Sequence, residues 1–353
     1  MGATYKAVQW NGNKIVYDLY VLAALAVFIG VFMGVGLMTH PSGHTADPVV
    51  LLIRALGSAA FLMLTIVLSI GPLARLSPRF LPMLYNRRHL GVMTFLVASA
   101  HFALALFWYH GAGPLNPFVS LLVSNPLYDS APGFPFEAFG LAAFAVLFLL
   151  AATSHDFWLN NLSAPLWKAL HMLLYPAYGL LVLHVAFGAL MTEKSPLYPA
   201  LMAISLALVS GLHLFAGARE WRRDSGMKGV KAREGWIDVC DPADIPDGRA
   251  VIAPLPRGDR VAVFRKGARI HAIDNACRHQ NGPLGEGCLK DGLVTCPWHG
   301  WQYRLEDGVS PPPYSERVAT HDVRLTREGR VTVRVRKNPL GQAGAFIDLE
   351  AAP

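Results

Sequence analysis

Six apolar runs, near residues 15–39, 49–71, 89–110, 137–153, 165–190 and 198–217, decide most of what this chain can fold into. A bilayer core of about 30 Å takes roughly twenty helical residues, and each run supplies that length within boundary error. The 353 residues are 53% hydrophobic and only 16% charged, too apolar for an ordinary soluble protein and long enough for two domains. The first run is too long for the core of a signal peptide and no small-residue cleavage site follows it, so it reads as a retained span. The expected fold is therefore an α-helical membrane bundle of six transmembrane helices over residues 1–218, with both ends on one side.

Charge chooses the side. Lys6, Lys14, Arg75, Arg79, Arg87, Arg88, Lys168, Arg219, Arg222, Arg223 and Lys228 fall on one face, whereas the opposite loops hold Lys194 with Asp47 and Asp129. That asymmetry places both termini in the cytoplasm and the chain in the inner (cell) membrane. The net charge of +7 then reports topology, with no need for nucleic acid as a partner. Trp10, Trp108, Trp158, Trp167 and Trp221 lie near span ends, where interfacial anchors belong. The long loop 111–136 carries an apolar segment, Phe118 to Val123, suited to lying on the membrane surface or capping a site.

Beyond the spans the pattern changes. Residues 219–235 read as a charged linker, and strand-like alternation follows over 236–337, as in Arg260-Val261-Ala262-Val263-Phe264 and Arg330-Val331-Thr332-Val333-Arg334-Val335. Residues 338–353 read as a loosely ordered tail. All four cysteines lie in this last third, which fits a reducing compartment.

Within this β region stands Cys277-Arg278-His279, then a gap of sixteen residues, then Cys296-Pro297-Trp298-His299. Structural zinc would accept the same four ligands, but the Gly and Pro of the intervening loop and the His-Gly-Trp-Gln-Tyr run are not zinc-finger features. The set suits a [2Fe-2S] cluster with two thiolates on one iron and two imidazoles on the other. On these residues, from about Trp236 to Val335, the chain resembles the Rieske family, an all-β domain. The resemblance implies Cys277, His279, Cys296 and His299 as cluster ligands. High-potential members add a disulfide between the ligand loops; here Gly282 and Trp298 occupy those positions, and Cys240 and Cys288 do not fit them. Such members also place a Ser and a Tyr hydroxyl on the cluster sulfurs; Tyr303 matches, but Trp301 stands where the Ser would be. The resemblance thus implies a potential at the low end of the family's range of roughly −150 to +300 mV.

Histidines inside apolar spans need partners. His101 lies in the third span, and His171 and His184 in the fifth. Facing imidazoles from two helices hold a low-spin b-type haem; a hydrogen bond to a neighbouring helix is the other reading of each. Gly71-Pro72-Leu73-Ala74-Arg75, Arg87-Arg88-His89-Leu90-Gly91 with His101 beyond it, and Leu166-Trp167-Lys168-Ala169-Leu170-His171 with His184 resemble the ferric-reductase-like transmembrane family, in particular the haem-binding membrane subunits of bacterial methionine-sulfoxide reductase systems. That resemblance covers residues 15–217 and implies His101, His171 and His184 as axial ligands, with His101 and His184 about an outer-leaflet haem. The thirteen residues from His171 to His184 span about 20 Å of helix, room for a second haem, with Pro176 between them to bend it. His89 is a candidate ligand opposite His171, and a helix-start surface residue on the other reading. Arg87 and Arg88 suit haem propionates and positive-inside anchoring alike. Arg54, near the outer end of its span, reads as snorkelling or as a contact to a propionate or acceptor; His40, His44 and His110 as outer-face residues at an acceptor site or solvated in loops; His213, near the sixth span's inner end, as facing the Rieske domain or packed in the core. His155, His271 and His321 carry no readable signal.

No strand-to-helix glycine fingerprint is present for a flavin or nicotinamide module, and Gly282-Pro283-Leu284-Gly285-Glu286-Gly287 belongs to the cluster loop. There is also no room for the mononuclear iron domain of a Rieske oxygenase. The expectation is a membrane electron conduit. A cytoplasmic reductase would donate electrons to the cluster, haem b would follow, and a periplasmic oxidoreductase, a quinone or a metal ion would accept them. The rivals are a quinol-oxidising subunit sending electrons inward through the Rieske domain, and a redox sensor or structural subunit.

Overall fold

The computed structural model describes residues 12–39, 47–155, 158, 162, 164–192, 195–227, 232–256, 258–279, 281–297, 300–312 and 314–351. Lys6, Trp10, His40, His44, Lys194, Lys228, Trp298 and His299 lie outside the described residues. The described residues form two compact units, one within 9–71 and 86–213, the other within 72–85 and 214–353.

The helices are α1 (Gly12–Thr39), α2 (Pro48–Leu76), α3 (Leu81–His110), α4 (Pro117–Val123), α5 (Phe136–Thr153), α6 (Ala164–Met172), α7 (Leu174–Phe187), α8 (Ala189–Thr192) and α9 (Leu197–Met227). Among the described residues, six stretches are helical, long and apolar enough to cross a membrane, as the hydropathy pattern requires. The fifth is broken at Leu173, whose N–H bonds back to the Leu170 carbonyl at 3.0 Å. Pro176 is the cause: without an N–H it leaves the Met172 carbonyl unclaimed, and the helix divides one turn before the ring. The bundle packs around Phe61, Leu64, Leu68, Leu147, Tyr178 and Val209. One polar cluster crosses this core: Ser205 Oγ meets both Thr65 Oγ1 and the Tyr178 hydroxyl, and the Tyr178 ring stacks on Phe61 at 5.6 Å.

The loop helix α4 starts at Pro117, with Asn116 capping it through Oδ1 to the Phe118 N–H at 3.0 Å. Leu121 is buried while Phe118, Val119, Leu122 and Val123 are exposed. His110 corrects one expectation. It is buried at 8% exposure, with Nδ1 3.0 Å from Ser120 Oγ, and so ties α4 to α3 instead of lying solvated in a loop.

Strands β1 (Trp236–Cys240), β10 (Val331–Arg334) and β9 (Val323–Leu325) form one antiparallel sheet. A second runs β11 (Ile347–Asp348), β4 (Arg269–Asp274), β3 (Arg260–Lys266), β2 (Ala250–Pro254), with β8 (Thr320–His321) on β4. The third is β5 (Cys288–Lys290), β6 (Leu293–Thr295), β7 (Gln302–Arg304). Because side chains alternate along a strand, β3 feeds two cores: Val261 and Val263 enter one, Ala262 and Phe264 the other. The second core contains Cys277, Cys296, Trp301 and Tyr303, so the metal-ligand loops are rooted in it.

Two boundaries differ from expectation. The segment 219–235 is helical as far as Met227, because Ala218-Arg219-Glu220-Trp221-Arg222 contains no helix breaker. Its Arg219 donates to the carbonyls of Arg75 and Leu76, at 3.5 and 3.0 Å, and Glu220 pairs with Arg260 at 3.1 Å. The segment after 337 is also no loose tail: Ile347 pairs with Ile270, is buried, and extends the second sheet.

Candidate electron-transfer centres

The two ligand loops close in the same way. Cys277 N–H donates to the Gly282 carbonyl and Cys296 N–H to that of Trp301, five residues on in each case, at 2.9 and 2.7 Å. Asn281 N–H returns to the Cys277 carbonyl and Gly300 N–H to that of Cys296, at 2.6 and 2.9 Å. Each fourth residue takes a left-handed backbone, φ 58° at Asn281 and 72° at Gly300, and these residue types adopt it most readily. Two matching knuckles thus present two thiols, each 1% exposed. Buried thiolates require a cation, and this pair suits one iron. His279 follows Cys277 by two positions. Its ring stacks on Trp301 at 4.2 Å, and the indole Nε1 donates to Ser310 Oγ at 3.2 Å. Trp301, noted in the sequence only as an absent Ser, is therefore a wall against the imidazole.

The Tyr303 hydroxyl accepts from the Arg278 N–H at 3.1 Å and lies 3.3 Å from Cys277 Sγ, to which it would donate when that sulfur is a metal-bound thiolate with no proton of its own. Burial first, then the neighbouring Cys277 and Cys296, hold the phenol above its usual range, so it remains a donor. These residues fit a Rieske cluster. The other thiols play no part in the knuckles. Cys240 is in the first core with its pKa pushed up to about 11, chiefly by burial, and Cys288 is on β5. His321 is fully buried between the Arg334 carbonyl and Asp274 Oδ1, and His271 stacks on Phe346. No spacing motif announces either role.

In the bundle, His101 on α3 and His184 on α7 face each other with ring centroids 6.4 Å apart. Two metal–imidazole bonds of about 2.0 Å, plus roughly 1.1 Å from each nitrogen to its ring centre, would need about 6.2 Å between the rings. His101 Nδ1 lies 2.9 Å from the Ile53 carbonyl and His184 Nδ1 3.0 Å from that of Phe136. A carbonyl only accepts, so both Nδ1 atoms carry the proton and both Nε2 lone pairs remain for a metal. The pair fits a bis-imidazole haem.

His171 has the same tautomer, with Nδ1 3.0 Å from the Trp167 carbonyl, and its Nε2 lies 3.4 Å from Ser154 Oγ. Trp167 is buried at 7% exposure, bonded to the Thr153 carbonyl and stacked on His171 at 3.8 Å. It therefore packs inside the bundle and is not an interfacial anchor, unlike the exposed Trp108, Trp158 and Trp221. His89 sits against Asp18 at 3.8 Å, and Arg87 approaches Gly71. His213 is held by the Val209 carbonyl and the Tyr175 hydroxyl.

Fold and sites together define a membrane electron-transfer protein in which a helical haem domain precedes a Rieske domain. The model of the Rieske [2Fe-2S] domain matches residues 235–322, and that of the ferric reductase like transmembrane component matches residues 56–182. The haem-binding subunit MsrQ of the protein-methionine-sulfoxide reductase of Bordetella pertussis is 33% identical over 183 residues, 51% of this chain and 80% of that subunit. MsrQ of Xanthomonas campestris pv. campestris is 32% identical over 183 residues, 52% of this chain and 74% of that protein. The ferredoxin component of the alkene monooxygenase system of Xanthobacter autotrophicus is 31% identical over 99 residues, 28% of this chain and 80% of the ferredoxin. The chain belongs to the MsrQ family of haem-binding membrane subunits through its first half, with a Rieske domain following it. Its cofactors are a [2Fe-2S] cluster and haem b.

Proposed function

We propose that the chain is a one-way electron conduit from a cytoplasmic reductase to an acceptor at the far face of the inner membrane. When bound, the cluster and the haem supply one-electron donor and acceptor states and no bond-making chemistry. Cys277, His279, Cys296 and His299 hold the cluster, and His101 and His184 hold haem b at the end of the bundle nearest the loop 111–136. His171, with His89 as its candidate partner, is where a second haem would sit. The observation that carries this reading is the facing of His101 and His184, with 6.4 Å between ring centroids and both Nδ1 protons committed to carbonyls.

Orientation rests on charge. Arg75, Arg79, Arg87, Arg88, Lys168, Arg219 and Arg222 gather at the end that the Rieske domain follows, which favours cytoplasmic termini. Outward electron flow then runs with the membrane potential, a gain of about 2.3 kcal/mol per 100 mV. The relatives' name, a haem-binding subunit of a protein-methionine-sulfoxide reductase, favours a partner oxidoreductase subunit as acceptor. The ferredoxin relative favours a separate soluble donor.

The test is haem absorption and redox titration on the purified full chain. His101→Ala and His184→Ala should each abolish the low-spin haem signal held by that pair and leave the cluster signal intact. The cluster midpoint should lie at or below that of the haem. Unaltered haem absorption in either variant defeats the ligand assignment, and a cluster well above the haem defeats outward flow.

A further inference from the structure

We infer that Gly57 and Gly140 are positioning residues of the haem site, each forming the notch through which one axial imidazole reaches a helix backbone. The inference rests on His101 and His184 being the haem ligands. The two sites are built alike. His101 donates Nδ1–H to the carbonyl of Ile53 on α2, and its ring lies over Gly57, four residues along the same helix face. His184 donates to the carbonyl of Phe136 on α5, and its ring lies over Gly140, again four residues along. In an α-helix the residue-57 N–H bonds the residue-53 carbonyl, and residue 140 likewise bonds residue 136. Each histidine therefore shares a helical carbonyl with the glycine beneath it, using the oxygen's second lone pair.

The glycines are what make that sharing possible. A Cβ at Gly57 would stand 2.9 Å from His101 Cε1 and 3.0 Å from Nδ1; at Gly140 it would stand 2.7 Å from His184 Nδ1 and 2.8 Å from Cε1. Carbon contacts become comfortable only near about 3.5 Å, so a methyl would push the ring by more than half an ångström. A metal–ligand distance tolerates about 0.2 Å. Three other glycines of the same bundle are different: an added Cβ at Gly91, Gly179 or Gly211 meets nothing within 4 Å, whereas at Gly36 and Gly188 it would meet the side chains of Leu51 and Phe136 and no imidazole ring. Helix propensity would replace all of these by Ala, so at Gly57 and Gly140 the imidazole overrides it.

The test uses the full chain with its cofactors, comparing Gly57→Ala, Gly140→Ala, and the controls Gly91→Ala and Gly211→Ala. The readouts are haem per polypeptide, the low-spin haem EPR g-values and the haem midpoint potential; the cluster EPR signal of the same preparation reports an intact chain. Gly57→Ala and Gly140→Ala should each lower haem content several-fold or, in the loaded fraction, shift the g-values and potential. The controls should leave all three unchanged. Wild-type haem content, g-values and potential in both notch variants overturn the inference. If His101→Ala and His184→Ala lose haem in that case, the ligand assignment stands and only the notches fail; if they keep it, the assignment fails and the notches with it.

Discussion

The indole of Trp301 lies parallel to the imidazole of His279, ring centroids 4.2 Å apart and planes 8° from each other. Tyr314 packs beside the indole at 4.2 Å, and Trp301 is only 5% exposed, so this side of the cluster loop is dry. Trp301→Ala should admit water to that side. Water stabilises the more negative, reduced cluster, and the midpoint should rise by tens of millivolts. Trp301→Phe, which keeps a ring in place, should stay near wild type. An EPR-monitored redox titration reads both, and equal potentials in wild type and the Ala variant would show that the wall does not set solvent access.

Tyr303→Phe should act in the opposite direction. It removes the hydroxyl 3.3 Å from Cys277 Sγ and leaves the Arg278 N–H without its acceptor. A lost hydrogen bond to sulfur disfavours the reduced cluster, so the midpoint should fall, with a stability cost of about 1 kcal/mol. The same titration measures the shift, and a rise would reverse the assigned donor.

Asp274 couples the Rieske fold to pH. The two ring nitrogens of His321 lie 3.0 Å from the Arg334 carbonyl and 3.2 Å from Asp274 Oδ1. Lys337 adds contacts of 3.0 Å to Asp274 and 2.9 Å to Asp259. Burial alone would raise the Asp274 carboxyl, but the bonds from His321 and Lys337 outweigh it and hold it below the usual range. With the folded value below the unfolded one, this stabilisation is full above about pH 4 and is lost as pH falls through the folded value. Asp274→Asn should cost about 3 kcal/mol at neutral pH and remove that acid step. Thermal unfolding followed by the cluster's visible circular dichroism at pH 7 and below about pH 3 tests both; a variant as stable as wild type at pH 7 would refute the coupling.

Ser205 holds together three elements of the bundle. It meets Thr65 on α2 and Tyr178 on α7 from its own place on α9. Ser205→Ala should cost about 1 kcal/mol, as should Tyr178→Phe, and the double variant should cost less than their total because the bond is shared. Unfolding in detergent, followed by haem absorption, measures the three values; strict additivity would separate the two hydroxyls.

Much of the site could be read in the residues themselves. Cys277, His279 and Cys296 follow a spacing that few metals share, and the structure sets both thiols on matching knuckles. His299, the fourth expected ligand, lies outside the described residues. The strand in the tail is not legible because its residues carry weak local patterns, whereas the helix through Met227 continues on ordinary helix propensity beneath charges that read as a linker. Ile347 becomes a strand residue only because Ile270 offers an open sheet edge, and Arg219 extends a helix whose other contacts lie far away in the sequence.

What the chain determines alone is whatever depends on order along a line. Span number follows from the length of an apolar run against the thickness of a bilayer, and the candidate cluster ligands are picked out by their spacing. Only the folded bundle decides which histidines meet. His101 and His184 share no local period, and His171 carries equal sequence credentials yet rests against Trp167 and Ser154. Gly57 and Gly140 resemble every other glycine in an apolar run until an imidazole from another helix fills the space a side chain would need.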